Sequence, residues 1–231
     1  MTKLEFGEIE RTTHHLILNT YFMPDIGLFH GQMGIALTFS EYSRYTGNEI
    51  YLEVSTCLLD NIMEKIDKNL TFSFGSGLSG IGWGIEYLIQ HGFVEGESVE
   101  VCEEIDRKIM EVDPRRIIDT TLDTGMEGLL HYVIYHLQGA SNQNTELPFD
   151  DKYLSDLFDI GMNLKDRIRN TPIASLLDIY LKFYSTRTIH DYNSSLTNFI
   201  SPDVAKLSDN IVSSPLGIKD GLAGKLLKTI S

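Results

Sequence analysis

The pattern Gly-x-x-Gly followed by an apolar run occurs four times along this chain. HGQMGIAL carries Gly31 and Gly34, SGLSGIGW carries Gly77 and Gly80, TGMEGLLH carries Gly125 and Gly128, and DGLAGKLL carries Gly221 and Gly224. The first glycines are separated by 46, 48 and 96 residues, and the last interval is two periods of 48. A further copy is therefore due near position 173, where Pro172-Ile-Ala-Ser175 keeps the apolar run without either glycine. Periods of this length mark a chain built from copies of one supersecondary unit. The repeat also answers a competing reading. GSGLSG, from Gly75 to Gly80, spells the Gly-x-Gly-x-x-Gly of a dinucleotide site, with Leu70, Phe72 and Phe74 alternating before it. Gly75 lies outside the part that recurs, and the chain shows no series of apolar strand segments between helices, which that fold requires.

Each unit reads as a helical pair. After the glycine motif comes an apolar helical run, ended in three copies by a glycine suited to cap a helix C-terminus: Gly47, Gly92 and Gly139. An amphipathic segment follows. Residues 49–67 place Ile50, Val54, Cys57, Leu58, Ile62 and Ile66 on one face; residues 97–111 and 150–168 repeat the pattern with Ile105 and Leu157 among their apolar positions. Ser201-Pro202 has the N-cap and first-turn proline of a fourth such helix, and residues 4–20 supply one more before the first motif. Ten helices in five hairpins are predicted. The paired glycines, three apart on one helix face, are expected to let neighbouring backbones approach closely.

Composition narrows the function classes. The chain has 231 residues, which suits one domain over 1–231, and a net charge of -14, whose field repels nucleic acid and anionic lipid. Its longest uncharged stretch, Asn69 to Ile85, is glycine-rich and short for a membrane span. The first fifteen residues lack an apolar core, so no signal peptide is expected, and the expected setting is a reducing cytoplasm. Cys57 and Cys102 are too few for a disulfide scaffold or a cysteine-rich zinc module. They occupy equivalent mid-helix positions in two repeats and read as small core residues.

GLFHGQMGIALTF (27–39), FGSGLSGIGWGIEYL (74–88), DTGMEGLLHYVIYHL (123–137) and GIKDGLAGKLLKTI (217–230) resemble the repeats of lanthionine synthetase C-like proteins. The resemblance covers nearly the whole chain, with fewer repeats than family members usually have. It implies an all-α fold, an (α/α) toroid or incomplete barrel of about five hairpins with the glycine motifs at the inner helix starts. It implies peptide chemistry as well. The family's cyclases hold one zinc ion with two cysteines and a histidine placed at or just before motif glycines, and the metal activates a peptide thiol that attacks a dehydrated serine or threonine. Here the residues two before the first glycine are Phe29, Gly75, Asp123, Asn170 and Lys219, and those one before are His30, Ser76, Thr124, Thr171 and Asp220. His30 alone is a ligand type, in Phe-His-Gly, so no zinc and no other cofactor is expected. The shortness is expected to reflect lost internal repeats, the ligand-bearing ones among them.

In the toroid that the resemblance implies, the residues just before the inner helices rim a cavity. His30, Asp123 and Asp220 are the candidate catalytic groups, able to do acid/base work if they converge; Phe29, Phe74, Ser76 and Thr124 are the candidate substrate contacts. Asp220 and Thr124 are equally ordinary N-cap types, and His30 can serve simply to bond a neighbouring loop. His131 and His136, five apart on one helix, face different ways and read as packing residues with polar tips. His14, His15 and His190 have no supporting context. The expected function is binding, or helping to mature, a ribosomally made peptide, in association with other peptide-modifying enzymes and without the zinc cyclase site. The alternative is a carbohydrate-active or other enzyme using carboxylates at the cavity rim.

Overall fold

The computed structural model describes residues 6–66, 70–165, 167–168, 171–189, 192–193, 195–206 and 210–231. Among them it contains nine α-helices and no strand: α1 (Phe6–Thr20), α2 (Gln32–Thr46), α3 (Ile50–Lys65), α4 (Leu78–Gln90), α5 (Ser98–Met110), α6 (Met126–Gln143), α7 (Asp151–Lys165), α8 (Pro172–Thr186) and α9 (Leu222–Ile230). Every glycine motif starts a helix, as predicted, and so does the glycine-free copy, at Pro172 of α8. The dinucleotide reading fails with the absence of strands among the described residues.

The helices sort by composition. From Leu78 to Leu88, α4 is buried on every side, because its sequence is apolar or small all round except at Glu86. The starts of α2 and α6 are buried in the same way. By contrast α3, α5 and α7 bury one stripe and expose the other. The chain forms two compact units. The first comprises Met1–Leu70 and Ser195–Ser231; within it α2 lies against α3 and α9, and α1 against α9 and α2. The second, Thr71–Ser194, packs α4 on α5 and α6, α6 also on α5 and α8, and α7 on α8.

Three sequence expectations need correction. Gly47 and Gly92 do end their helices in the left-handed region, with φ of 68° and 70°, but Gly139 lies inside α6, which runs on to Gln143 and is capped by Asn144. Gly139 has a packing reason instead: a methyl group there would overlap the Glu86 carboxylate of α4. The fourth outer helix is not an α-helix. Ser201-Pro202 opens the 3-10 segment Pro202–Lys206, with the Ser201 hydroxyl accepting from the Asp203 amide at 3.2 Å, and further 3-10 turns cover Leu196–Phe199 and Ile211–Ser213. Segments this short have no two-turn apolar stripe to bury, which leaves them in the poorer i→i+3 geometry. Finally, Cys102 is a core residue but Cys57 is exposed.

Candidate functional site

The loops before the inner helices carry the candidate residues, and the backbone dictates their shape. In all four glycine copies the amide just after the first glycine donates to a carbonyl seven residues back: Gln32 to Asp25 at 3.0 Å, and Leu78 to Thr71, Met126 to Asp119 and Leu222 to Pro215 at 2.9 Å. The loop thus folds over its own helix and satisfies amides that a helix start leaves orphaned. The first glycine is the N-cap, without a side-chain cap, in each case. The N-cap reading of Thr124 and Asp220 is therefore corrected: each stands one residue too early. Both motif glycines are explained by crowding. A methyl group at Gly34, Gly128 or Gly224 would strike the carbonyl of Leu28, Leu122 or Ile218 in the same loop. The backbone that approaches most closely is the repeat's own, where the sequence suggested a neighbouring one.

Neighbouring loops are nevertheless joined. In the second unit the amides of Phe74 and Gly75 both donate to the Asp123 carbonyl, at 2.8 and 3.0 Å. This brings Phe74, Ser76, Asp123 and Thr124 into one cluster. In the first unit the Lys219 amide donates to the Phe29 carbonyl at 3.1 Å, so Phe29, His30 and Asp220 lie on another pair of adjoining loops. The side chains differ in what they can offer. His30, Ser76, Thr124 and Asp220 are exposed and Asp123 is half-buried. Phe29 and Phe74 are closed off from solvent; Phe29 lies under the Lys219 ammonium, 4.6 Å from its ring centre, and Phe74 packs edge-on to Trp83. Asn170 and His190 lie outside the described residues.

The third motif loop carries a braced carboxylate. Asp119 accepts from the Thr124 hydroxyl at 2.5 Å and from the Thr121 amide and hydroxyl at 2.8 and 3.0 Å, and these bonds, Thr124 first, hold its carboxyl below the usual range. Beside this brace runs a groove of about 320 Å³. Phe72 and Ile117 line it, with the Arg116 guanidinium, Thr124 and Ile118, whose side chain is 94% exposed. An apolar trough with the Arg116 guanidinium, paired at 3.7 Å with Asp113 on the same wall, and a hydroxyl–carboxylate pair is equipped to hold an extended chain.

Sequence reasoning missed a second polar constellation, buried in the second unit. His136 of α6 sits between two carboxylates: its Nδ1 is 2.6 Å from Glu86 of α4 and its Nε2 2.9 Å from Asp106 of α5. Tyr132 donates to Asp106 at 2.5 Å and Gln90 to Glu86 at 2.8 Å. Glu86 and His136 are fully buried. Burial would lower the His136 pKa, but the hydrogen bonds and charges of Asp106 and Glu86 outweigh it and raise it to about 9. The Asp106 pKa is raised because desolvation outweighs its bonds to His136 and Tyr132. The signal was present in sequence as a lone acid inside the apolar run of α4 and another within the buried stripe of α5.

The sign of the resulting pH dependence follows. Between the unfolded histidine value of about 6.5 and the folded value of about 9, the native state holds a proton on His136 that the unfolded state has lost. Stability then falls as pH rises, by up to about 1.4 kcal/mol per pH unit. His131 acts oppositely, since burial depresses its pKa to about 4 and stability rises as pH climbs from there to the unfolded value. Denaturant melts across this range are expected to show a maximum between the two limbs.

Neither cysteine is near a motif glycine, and no group of three or more His, Cys, Asp or Glu side chains is gathered to hold a metal ion among the described residues. No described helix is long and apolar enough to cross a membrane.

Helical hairpins whose buried helices start at self-capped glycine loops define the class of protein. The chain belongs to the lanthionine synthetase C-like protein family, whose profile it matches over residues 23–176. A search of curated proteins finds no match.

Proposed function

We propose that this protein binds a ribosomally made peptide and assists its maturation without the family's zinc-dependent thioether chemistry, in a cytoplasmic setting and alongside other peptide-modifying enzymes. The observation that carries the reading is the groove beside the third motif loop, where exposed Ile118 and half-buried Phe72 flank the Thr124–Asp119 pair. A peptide backbone laid there meets a hydroxyl, a carboxylate and the Arg116 guanidinium, while its apolar side chains cover Ile117 and Ile118. Thr124 and Asp123 are the proposed substrate-facing residues of this unit, with Ser76 on the adjoining loop; His30 and Asp220 are the corresponding groups of the other. Phe29 and Phe74 act through the loops they hold, since both are buried. Support for the zinc-free reading comes from the ligand positions, which hold no cysteine.

The test joins metal analysis to binding. After equilibration with equimolar zinc and dialysis, the protein is expected to retain well under one ion per chain; stoichiometric zinc overturns the zinc-free reading. Fluorescent peptides containing cysteine and dehydroalanine are expected to bind, and Ile118→Asp to weaken binding at least about tenfold, about 1.4 kcal/mol, with the thermal midpoint nearly unchanged. Equal binding by the variant removes this groove from the site.

A further inference from the structure

A second groove lies in the first unit. It has a volume of about 260 Å³ and runs between α1 and α3. Ile17 and Tyr21 form one bank; Ile50, Val54 and Leu58, spaced by four along α3, form the other. Apolar side chains lining it are open to solvent: Ile50 is 59% exposed and Tyr21 57%, and Phe22, 82% exposed, packs edge-on to Tyr21. Scattered singly, such residues need no explanation; contiguous with an apolar groove, they mark an interaction surface.

The charge beside the groove selects the occupant. Glu49, Glu53, Cys57, Asp60 and Glu64 fall at spacings of four, four, three and four along α3, and all are exposed. They make one stripe of four carboxylates and a thiol, parallel to the apolar row, and Glu53 and Cys57 themselves line the groove. No basic side chain lines it among the described residues. An occupant must therefore bury apolar side chains along one edge and present cations along the next, at helical spacing.

We propose that the groove between α1 and α3 docks a cationic amphipathic helical segment of a partner peptide, its apolar side chains against Tyr21, Ile50 and Val54 and its basic side chains paired with the carboxylate stripe of α3. The surface is separate from the motif-loop groove, and the proposal stands whether or not that groove holds a substrate. The chain's net charge of -14 favours encounter with such a partner, while the groove sets where it seats.

Cys57 makes the test direct, because it is exposed within the groove whereas Cys102 is buried. The probe is a leucine/lysine helix of about five turns, or about 18 residues. It is expected to slow maleimide alkylation of Cys57 at least about fivefold, and protection is expected to fade as salt rises. A leucine/glutamate helix of the same apolar pattern is expected to give none. Glu53→Lys with Asp60→Lys, and separately Val54→Asp, should abolish protection. Glu100→Lys with Glu103→Lys, an equal charge change on α5, should leave it intact. The proposal is overturned by absent protection, by equal protection from the acidic helix, or by loss with the α5 pair. Protection by anionic vesicles would assign the surface to lipid, and protection that grows with protein concentration alone would assign it to a second copy; either result also overturns it.

Discussion

Replacing His136 with alanine is expected to destabilise the protein by about 3–5 kcal/mol, the usual cost of removing one partner from a buried ion pair. Glu86 and Asp106 would be left in the core of the second unit with one neutral donor each, from Gln90 and Tyr132. A desolvated carboxylate without a counter-charge takes up a proton rather than remain ionised. The loss should therefore shrink at pH 5 and grow at pH 8, a dependence that a simple cavity would not produce. Changing all three groups together, Glu86→Gln, Asp106→Asn and His136→Gln, should restore much of the stability, because neutral amides can share hydrogen bonds without the charge. Urea unfolding of the four proteins at both pH values checks this. Equal losses at the two pH values would show that the imidazole fills space and balances no charge.

Gly128→Ala is expected to be strongly destabilising. In a free helix alanine is better than glycine by about 1 kcal/mol. Here the new methyl would lie inside contact distance of the Leu122 carbonyl and of the Phe74 Cβ. Neither can retreat easily. The loop holding Leu122 is pinned by the Met126-to-Asp119 bond at 2.9 Å, and Phe74 is pinned by its amide on Asp123 at 2.8 Å. Overpacking against fixed atoms costs about 1–3 kcal/mol or more, so the net sign is destabilising, with a drop in thermal midpoint of several degrees. Gly7→Ala on α1, where nothing lies within 4 Å, is the control and is expected to be neutral or slightly stabilising. A stabilised Gly128→Ala protein would show that the loop is soft.

The two predictions sit on opposite sides of what could be read in advance. Glycine repeats at a fixed period foretold the inner helices, including α8, which has no glycine in its motif, because a repeated unit must repeat its packing. The outer helices α3, α5 and α7 were legible from apolar spacing to within a few residues. Gly139 misled because a helix-stopping glycine and a space-making one look alike in one dimension; only the Glu86 carboxylate opposite it tells them apart. The outer helix expected after Ser201-Pro202 failed although its start signal was sound, since a cap cannot sustain a helix that lacks a stripe to bury.

Of the candidate residues, the sequence placed each on a motif loop but not its exposure. Phe29 and His30 are neighbours in Phe-His-Gly, yet one is buried and the other open to solvent. Alone, the chain determined its family, its helical class and the positions of its buried helices, because these depend on periodicity within short segments. Which loops adjoin, which carboxylates share a histidine and which faces remain open were decided only in three dimensions. Those are relations between residues 30 to 50 positions or more apart, such as Asp106 with His136 and Glu86 with His136, and no local pattern encodes them.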